Sequence, residues 1–319
     1  MTSPLNHEPT IAYFKKNAFF GLAQRDVMFF PQAMMPSMDM TTGRMLLDQK
    51  GSLALNPDGH GGSLKALAAS GALDDMARRG VEHISYTQID NPLVRVIDPV
   101  FLGLHAFAPD SSGEMSSKMV TKAGPGEKVG VLCRADGKTA IIEYSDMPEA
   151  LSTETNPDGS LRFNAGSIAI HVMSVAFVRK LNAGGRFSLP YHRAEKKVAF
   201  VDGAGQRVEP PKPNAVKLET FVFDALRLAE RSVVLETDRV DEFAPIKNAS
   251  GVDSAESCRE IQTRRAARWL MAAGCRLPCK ADGSLDCVLE LSPLRAMDGD
   301  EVKGGKFPAA IAPGASVAL

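Results

Sequence analysis

The chain has little that would place it in a membrane, on a nucleic acid or in an oxidising compartment. No apolar run approaches bilayer length and no leader-like segment opens the sequence, so a cytoplasmic location without a membrane partner is expected. Lys plus Arg number 37 against 38 Asp plus Glu, a formal charge of −1 with no basic cluster, so no pull toward nucleic acid exists. Cysteines number only five, at 133, 258, 275, 279 and 287, an odd set that argues against disulfides. Cys275-x3-Cys279 with Cys287 looks like half a zinc site, but no His stands nearby as a fourth ligand, and idle or buried thiols are the expectation. Internal repeats are absent. What is present is a 319-residue chain with 44% hydrophobic residues, the composition of a globular protein with one large or two smaller domains.

The densest local signal is NPDGHGGSLKAL at 56–67. A Pro-Asp-Gly turn runs into His60, Gly61 and Gly62, and an amphipathic run begins at Ser63. Leu64, Leu67, Ala68, Leu73 and Met76 recur at helical spacing as far as the stop at Gly80. Glycines at 59, 61 and 62 would let a ligand approach bare backbone at a helix entrance, where N–H groups and the helix dipole favour an anion. An ordinary loop with positive φ would use the same residues. Ile84–Ile89 then reads as a strand that delivers Asp90 and Asn91 at its carboxyl end, and Asp98-Pro99 as an N-cap with Pro at the first helical position. This order makes a βαβ-type unit, with ligands expected beyond the carboxyl ends of the strands. There Asp90 could hold Mg²⁺ on a nucleotide, or Asp-Asn-Pro could simply turn the chain.

The remaining elements are expected as follows. Residues 9–22 form a helix and Val27–Phe30 a strand, and 109–127 is a polar surface insertion. A helical region starts within Phe163–His171 and continues to about Leu181. Glu219–Arg231 is a helix burying Phe221, Val222, Ala225, Leu226 and Ala229, followed by the strand Val233–Glu236. Residues 254–273 form a helix entered by Asp253 with Glu256 behind it, and Cys287–Leu291 is a strand. Between two β-rich runs, Asp136-Gly137 marks a two-residue hairpin. That register sets Gly130 opposite Glu143, opening a notch where the carboxylate could accept hydrogen bonds from hydroxyl groups; an edge hairpin with a solvated Glu has the same pattern. Lys217 and Lys247 each follow a Pro-containing turn and could meet a phosphate as mobile point charges, or stay solvated.

FFPQAMMPSMD, NPDGHGG, QIDNPLVRVIDPVFLG, VGVLCRADGK, IIEYSDM, FNAG, KPNAVKLETFVFD and DEFAPIKNA stand in order between about residues 10 and 250. In these stretches the chain resembles the eukaryotic-type UDP-sugar pyrophosphorylases, most closely their UDP-N-acetylglucosamine branch. The resemblance implies a Rossmann-like (GT-A-like) nucleotidyltransferase fold, a mixed α/β sheet over 1–250, with a small α+β segment at 251–319. It implies a uridylyltransferase joining UTP and N-acetylglucosamine 1-phosphate with release of pyrophosphate, using Mg²⁺. Alternatives are glucose 1-phosphate or mixed sugars, or an inactive sugar-nucleotide-binding relative. Carried over by position, Gln32, Gly59, Asp90 and Lys217 look like nucleotide contacts. His60, Gly130, Glu143, Asn164, Ser167 and Lys247 look like sugar-side contacts, Asp90 like the metal carboxylate, and Lys217, Lys247 and Asp90 like the catalytic set.

Two departures accompany the resemblance. The family places Asn where Ser167 and Ile170 stand, and the first of these helps read an acetamido sugar. The Gly-x-Gly-Thr-Arg loop that cradles the triphosphate is missing, so an N-terminally incomplete fold is expected, with exposed apolar faces, poor solubility and no synthesis by 1–319 alone.

Overall fold

Six strands make the main sheet of the computed structural model, which describes residues 1–185 and 187–319. They are β1 (His83–Tyr86), β2 (Met115–Thr121), β3 (Val131–Ala135), β4 (Lys138–Ile142), β5 (Ala165–Ser174) and β6 (Val234–Glu236). Their order is β6-β2-β5-β3-β4, with β1 also on β5, and only the β6–β2 pair is parallel. The central strand β5 gives one edge to β2 and shares the other: β3 joins at Gly166, and β1 joins over His171–Ser174. Between Ser167 and His171 the register slips, and Ala169 sits at φ 54°. A bulge of this kind re-aims side chains, and its left-handed alanine stores on the order of 1–3 kcal/mol of strain.

Residues 115–121 are a buried inner strand instead of surface insertion; Ser116, Ser117 and Lys118 are all within 1% of full burial. Their polarity is satisfied internally. Ser116 Oγ meets His105 Nδ1 at 2.9 Å, and Ser117 Oγ meets His171 Nδ1 at 2.7 Å. Lys118 Nζ reaches Asp98 at 2.6 Å and Glu242 at 2.5 Å. Residues 165–174 are strand, and the helix begins only at Val175, where Ser174 Oγ accepts the Phe177 N–H. Over 219–231 the chain finishes a strand (Ala215–Glu219) and then winds as a 3₁₀ helix over Val222–Leu228. Spacing of three between Val222 and Ala225 suits three residues per turn as well as 3.6; Val222, Ala225, Leu226 and Ala229 are buried as expected, whereas Phe221 is half-buried and Phe223 is buried in its place.

Val27–Phe30 is extended without a ladder, tied to Thr2 through Phe30 and Gln32. The run after the glycine loop is two helices, Gly62–Ala69 and Ala72–Arg78, separated by Gly71 at φ 77°. The unit around it is not parallel βαβ. Leu55–Pro57 pairs with Met34–Pro36 in a separate ribbon, and β1 runs antiparallel to β5. The C-terminal helix is Ala255–Ala272, capped one residue later than expected by Ser254, with Ser257 reciprocating.

Leu64, Met115, Met173, Phe177 and Leu226 form the core on one face of the sheet; Phe101, Val120, Ile168, Ile170 and Phe243 form the core on the other. A separate core joins Ala266, Trp269 and Leu270 to Leu289 and Val302, covered by the parallel pair Cys287–Glu290 and Ala315–Ala318. The five cysteines are free, and among the described residues no three His, Cys, Asp or Glu side chains cluster as a metal site. Among the described residues no helix is long and apolar enough to cross a membrane.

Candidate active site

The β3–β4 hairpin forms with the expected register, Val131 opposite Ile142 and Ala135 opposite Lys138, around Asp136 and Gly137 at positive φ. Beside it the β5 bulge, the turn after β1 and the loop Phe243–Lys247 line a cleft that opens to solvent, about 630 Å³ with its open mouth included. Six expected site residues line it: His60, Asp90, Gly130, Glu143, Ser167 and Lys247.

Gly130 and Glu143 make the notch that the register implied. A Cβ on Gly130 would lie 2.7 Å from Ile141 Cγ2 and 3.5 Å from Glu143 Oε1, so only glycine leaves the space open. The Glu143 side chain has no hydrogen-bond partner among the described residues. Burial, reinforced by Asp146 and opposed by His192 and Lys247, pushes its pKa above the usual carboxyl value. Ser167 is fixed by its N–H to Gly130 O at 2.8 Å, which ties the bulge to the hairpin. Ile170 is 1% exposed and belongs to the core under the sheet, so that departure from the family pattern alters packing and leaves the cleft lining alone.

His60 enters on a ring stack. Its centroid is 5.1 Å from Phe221 at 21°, and Phe221 also stacks with His192 at 4.5 Å. The Val222 N–H donates to His60 Nδ1 at 3.2 Å, which puts the ring proton on Nε2. Burial, opposed by Glu219, lowers the His60 pKa to about 4, so the ring is neutral at pH 7 and offers a donor to the cleft. His192 Nε2 meets Asp224 Oδ2 at 2.8 Å, and burial raises the Asp224 pKa against the pull of that histidine.

Four expected residues stand outside the cleft. Gln32 donates to Asp58 Oδ1 and to Gly59 O of the glycine loop, each at 3.0 Å. Lys217 pairs with Glu219 at 2.7 Å on the adjoining strand. Asn164 accepts the Lys122 and Gly166 N–H groups through its carbonyl. The glycine loop is also less open than expected. A Cβ on Gly59 would sit 2.4 Å from Thr220 O, and one on Gly61 2.6 Å from Thr220 C. The glycines at 59 and 61 therefore admit the chain's own backbone, to which Gly61 N–H donates at 2.8 Å.

Lys128, Tyr144, Phe223 and Phe243 also line the cleft and were not singled out from the sequence. Tyr144 directly follows Glu143 and Phe223 lies two residues from Phe221, so neighbourhood to a chosen residue was the available signal.

Sheet and cleft together define a nucleotidyltransferase-like α/β protein. Within that class the chain belongs to the UTP–glucose-1-phosphate uridylyltransferase family, which matches residues 1–264. It is 37% identical over 317 residues to the UDP-N-acetylhexosamine pyrophosphorylase-like protein 1 of Xenopus tropicalis, covering 94% of this chain and 61% of that protein. Identity to UDP-N-acetylglucosamine diphosphorylase 2 of Arabidopsis thaliana is 36% over 312 residues, covering 95% and 59%. A crystal structure from Entamoeba histolytica that carries the UDP-N-acetylglucosamine pyrophosphorylase name superposes with a TM-score of 0.83 at 30% identity, covering 100% of this chain and 76% of that one. The chain thus spans about three fifths of the length of the curated relatives it matches.

Proposed function

We propose that this chain serves, as a cytoplasmic enzyme on small-molecule substrates, in uridylyl transfer from UTP to N-acetylglucosamine 1-phosphate. An oxygen of the sugar phosphate forms the new bond to the α-phosphorus of UTP, and the bond from that phosphorus to the pyrophosphate oxygen breaks. Such chemistry needs alignment and charge neutralisation more than a protein nucleophile. In this reading Glu143 accepts sugar hydroxyls in the Gly130 notch, His60 donates through Nε2, and Lys247 meets the sugar phosphate. Gln32, Gly59 and Lys217 serve the uridine and its phosphates from the adjoining face, and Asn164 orders the strand entering Ser167. Residues 1–250 carry these groups, with 251–319 as a C-terminal segment.

Mg²⁺ fits the donor set here. Magnesium commonly takes one or two carboxylates and completes its shell with phosphates and water, so Asp90 suffices without a three-ligand cluster. Bound there, the ion would neutralise phosphate charge.

The carrying observation is the half-buried Glu143 carboxylate, unpaired among the described residues and facing a glycine gap. Ser167 favours a second reading, a broader sugar range, because its side chain is shorter than the Asn of the family pattern. The test is calorimetric titration of the purified chain with UDP-N-acetylglucosamine and UDP-glucose. Saturable binding of the first, weakened in Glu143→Gln, is expected. No binding of either would remove the reading, and equal binding would favour the second.

A further inference from the structure

Two separate stretches of chain bring Asp90 and Lys247 to the cleft: the turn 88–91 after β1 and the loop 243–247 after the short helix Arg239–Glu242. They are stitched together from inside by three hydrogen bonds. Asn91 Nδ2–H donates to Glu242 O at 2.7 Å, Ala244 N–H donates to Asn91 Oδ1 at 3.1 Å, and Ile246 N–H donates to Asp90 O at 2.9 Å. A single guanidinium also bridges the residues that flank these two stretches. Arg265 Nη1 donates to Asp241 O at 3.0 Å and to Leu93 O at 3.4 Å. Its guanidinium lies 4.9 Å from the Trp269 ring. Arg265 belongs to the helix Ala255–Ala272, whose far end builds the separate C-terminal core.

We propose that Arg265 and Asn91 are positioning residues: together they fix the Lys247 loop against the Asp90 turn, so that the C-terminal segment sets the geometry of the cleft. Asp90 and Lys247 carry opposite charges that must act on neighbouring phosphates, and misplacement by about 1 Å costs a large factor in such sites. The half-buried guanidinium of Arg265 offers donors in a fixed plane, which suits two carbonyls held at a set separation. The Glu242 carboxylate is clamped separately by Lys118 and by the Thr237 hydroxyl at 2.7 Å, so the helix feeding the loop is anchored on both sides. The inference rests on the proposed function only for the identity of the ligand.

A tether that merely holds the C-terminal segment would lower stability and leave the cooperation between Asp90 and Lys247 unchanged. The experiment therefore measures UDP-N-acetylglucosamine affinity with Mg²⁺ for wild type, Asp90→Asn, Lys247→Gln and the double variant. The same four are then made with Arg265→Ala, and again with Asn91→Asp, which keeps the acceptor and loses the donor to Glu242. With the splint intact, the double variant should depart from the product of the single effects by roughly fivefold or more, as for sites in one network. With either splint variant the effects should become multiplicative. Unchanged coupling in both backgrounds would overturn the proposal. Should Arg265→Ala fail to fold, Asn91→Asp carries the same comparison. If wild type binds no UDP-sugar, the substrate reading falls, and amide exchange on the same proteins tests the splint alone. Ala244 and Ile246 amides should exchange at least about tenfold faster in the variants while β5 amides keep their rates; equal rates at 244 and 246 would contradict it.

Discussion

Lys118 in the sheet with Asp98 and Glu242 on the helices beside it, and Lys247, Asp90 and Glu143 in the cleft, are the same three residue types put to opposite use. In the first group every charge is paired. Lys118 is 1% exposed, its ammonium touches both carboxylates, Asp98 also caps the helix from Pro99, and Glu242 accepts Thr237. In the second group the side chains of Glu143 and Lys247 make no ion pair among the described residues, and the groups line one open cleft. Buried charge that is fully paired belongs to the fold, whereas charge held near a cavity without a partner awaits a ligand.

The comparison breaks most visibly at Lys118. Lys118→Met strands two carboxylates and should cost about 3–5 kcal/mol in urea unfolding, as for removal of one partner from a buried pair. A loss below 1 kcal/mol would show that the triad is not the support described. Gly130→Val should destabilise by about 1–3 kcal/mol through the clash with Ile141 while closing the sugar notch, so UDP-sugar affinity falls together with stability. Unchanged affinity would mean that the notch is not occupied.

Acid should weaken both regions, because His60 in the cleft, lowered by burial to about 4, loses its contribution together with the histidines of the fold. Burial lowers the pKa of His105 to about 4 and that of His171 to about 3, below the ordinary 6.5 of the unfolded chain. Each histidine therefore contributes stability that is complete above pH 6.5 and is lost as pH falls toward its folded value, at roughly 1 kcal/mol per pH unit. Asp58, Glu143 and Asp224, whose pKa values are raised by burial, pull the other way in the lower part of that range. Urea midpoints between pH 7.5 and 5 should fall, and His171→Gln should flatten the slope. A flat wild-type profile would contradict the assignment. The smallest effect is expected at Ser167→Asn, which should raise the preference for UDP-N-acetylglucosamine over UDP-glucose by on the order of a few-fold, the worth of one neutral hydrogen bond. An unchanged ratio would place sugar choice elsewhere.

The sequence made the hairpin legible because Asp136-Gly137 permits one tight turn, and that register alone predicted Gly130 against Glu143. Asp90 was legible as an acid following a strand. The strand Met115–Thr121 was hidden because its serines and lysine look solvent-facing until His105, His171, Asp98 and Glu242 are brought to them from distant segments. The bulge at Ala169 was hidden for a related reason: a positive φ at alanine is imposed by the surrounding sheet, with no local signal. Glycines at 59 and 61 suggest the approach of a ligand, but the group that approaches them is the backbone of Thr220 in the same chain, which no local pattern reveals. Asn91 and Arg265 bond to backbone groups, carbonyls for Arg265 and a carbonyl and an N–H for Asn91, which no residue pattern announces.

The distinction between paired and waiting charge is tested most directly by titrating UDP-N-acetylglucosamine into wild type and Glu143→Gln in a calorimeter, with urea unfolding of both proteins alongside. The account predicts roughly tenfold or greater loss of affinity, the worth of hydrogen bonds to a charged group, with stability unchanged or slightly raised once the buried carboxyl is neutral. Equal affinities, or a loss of stability with affinity intact, would contradict it and return Glu143 to the fold.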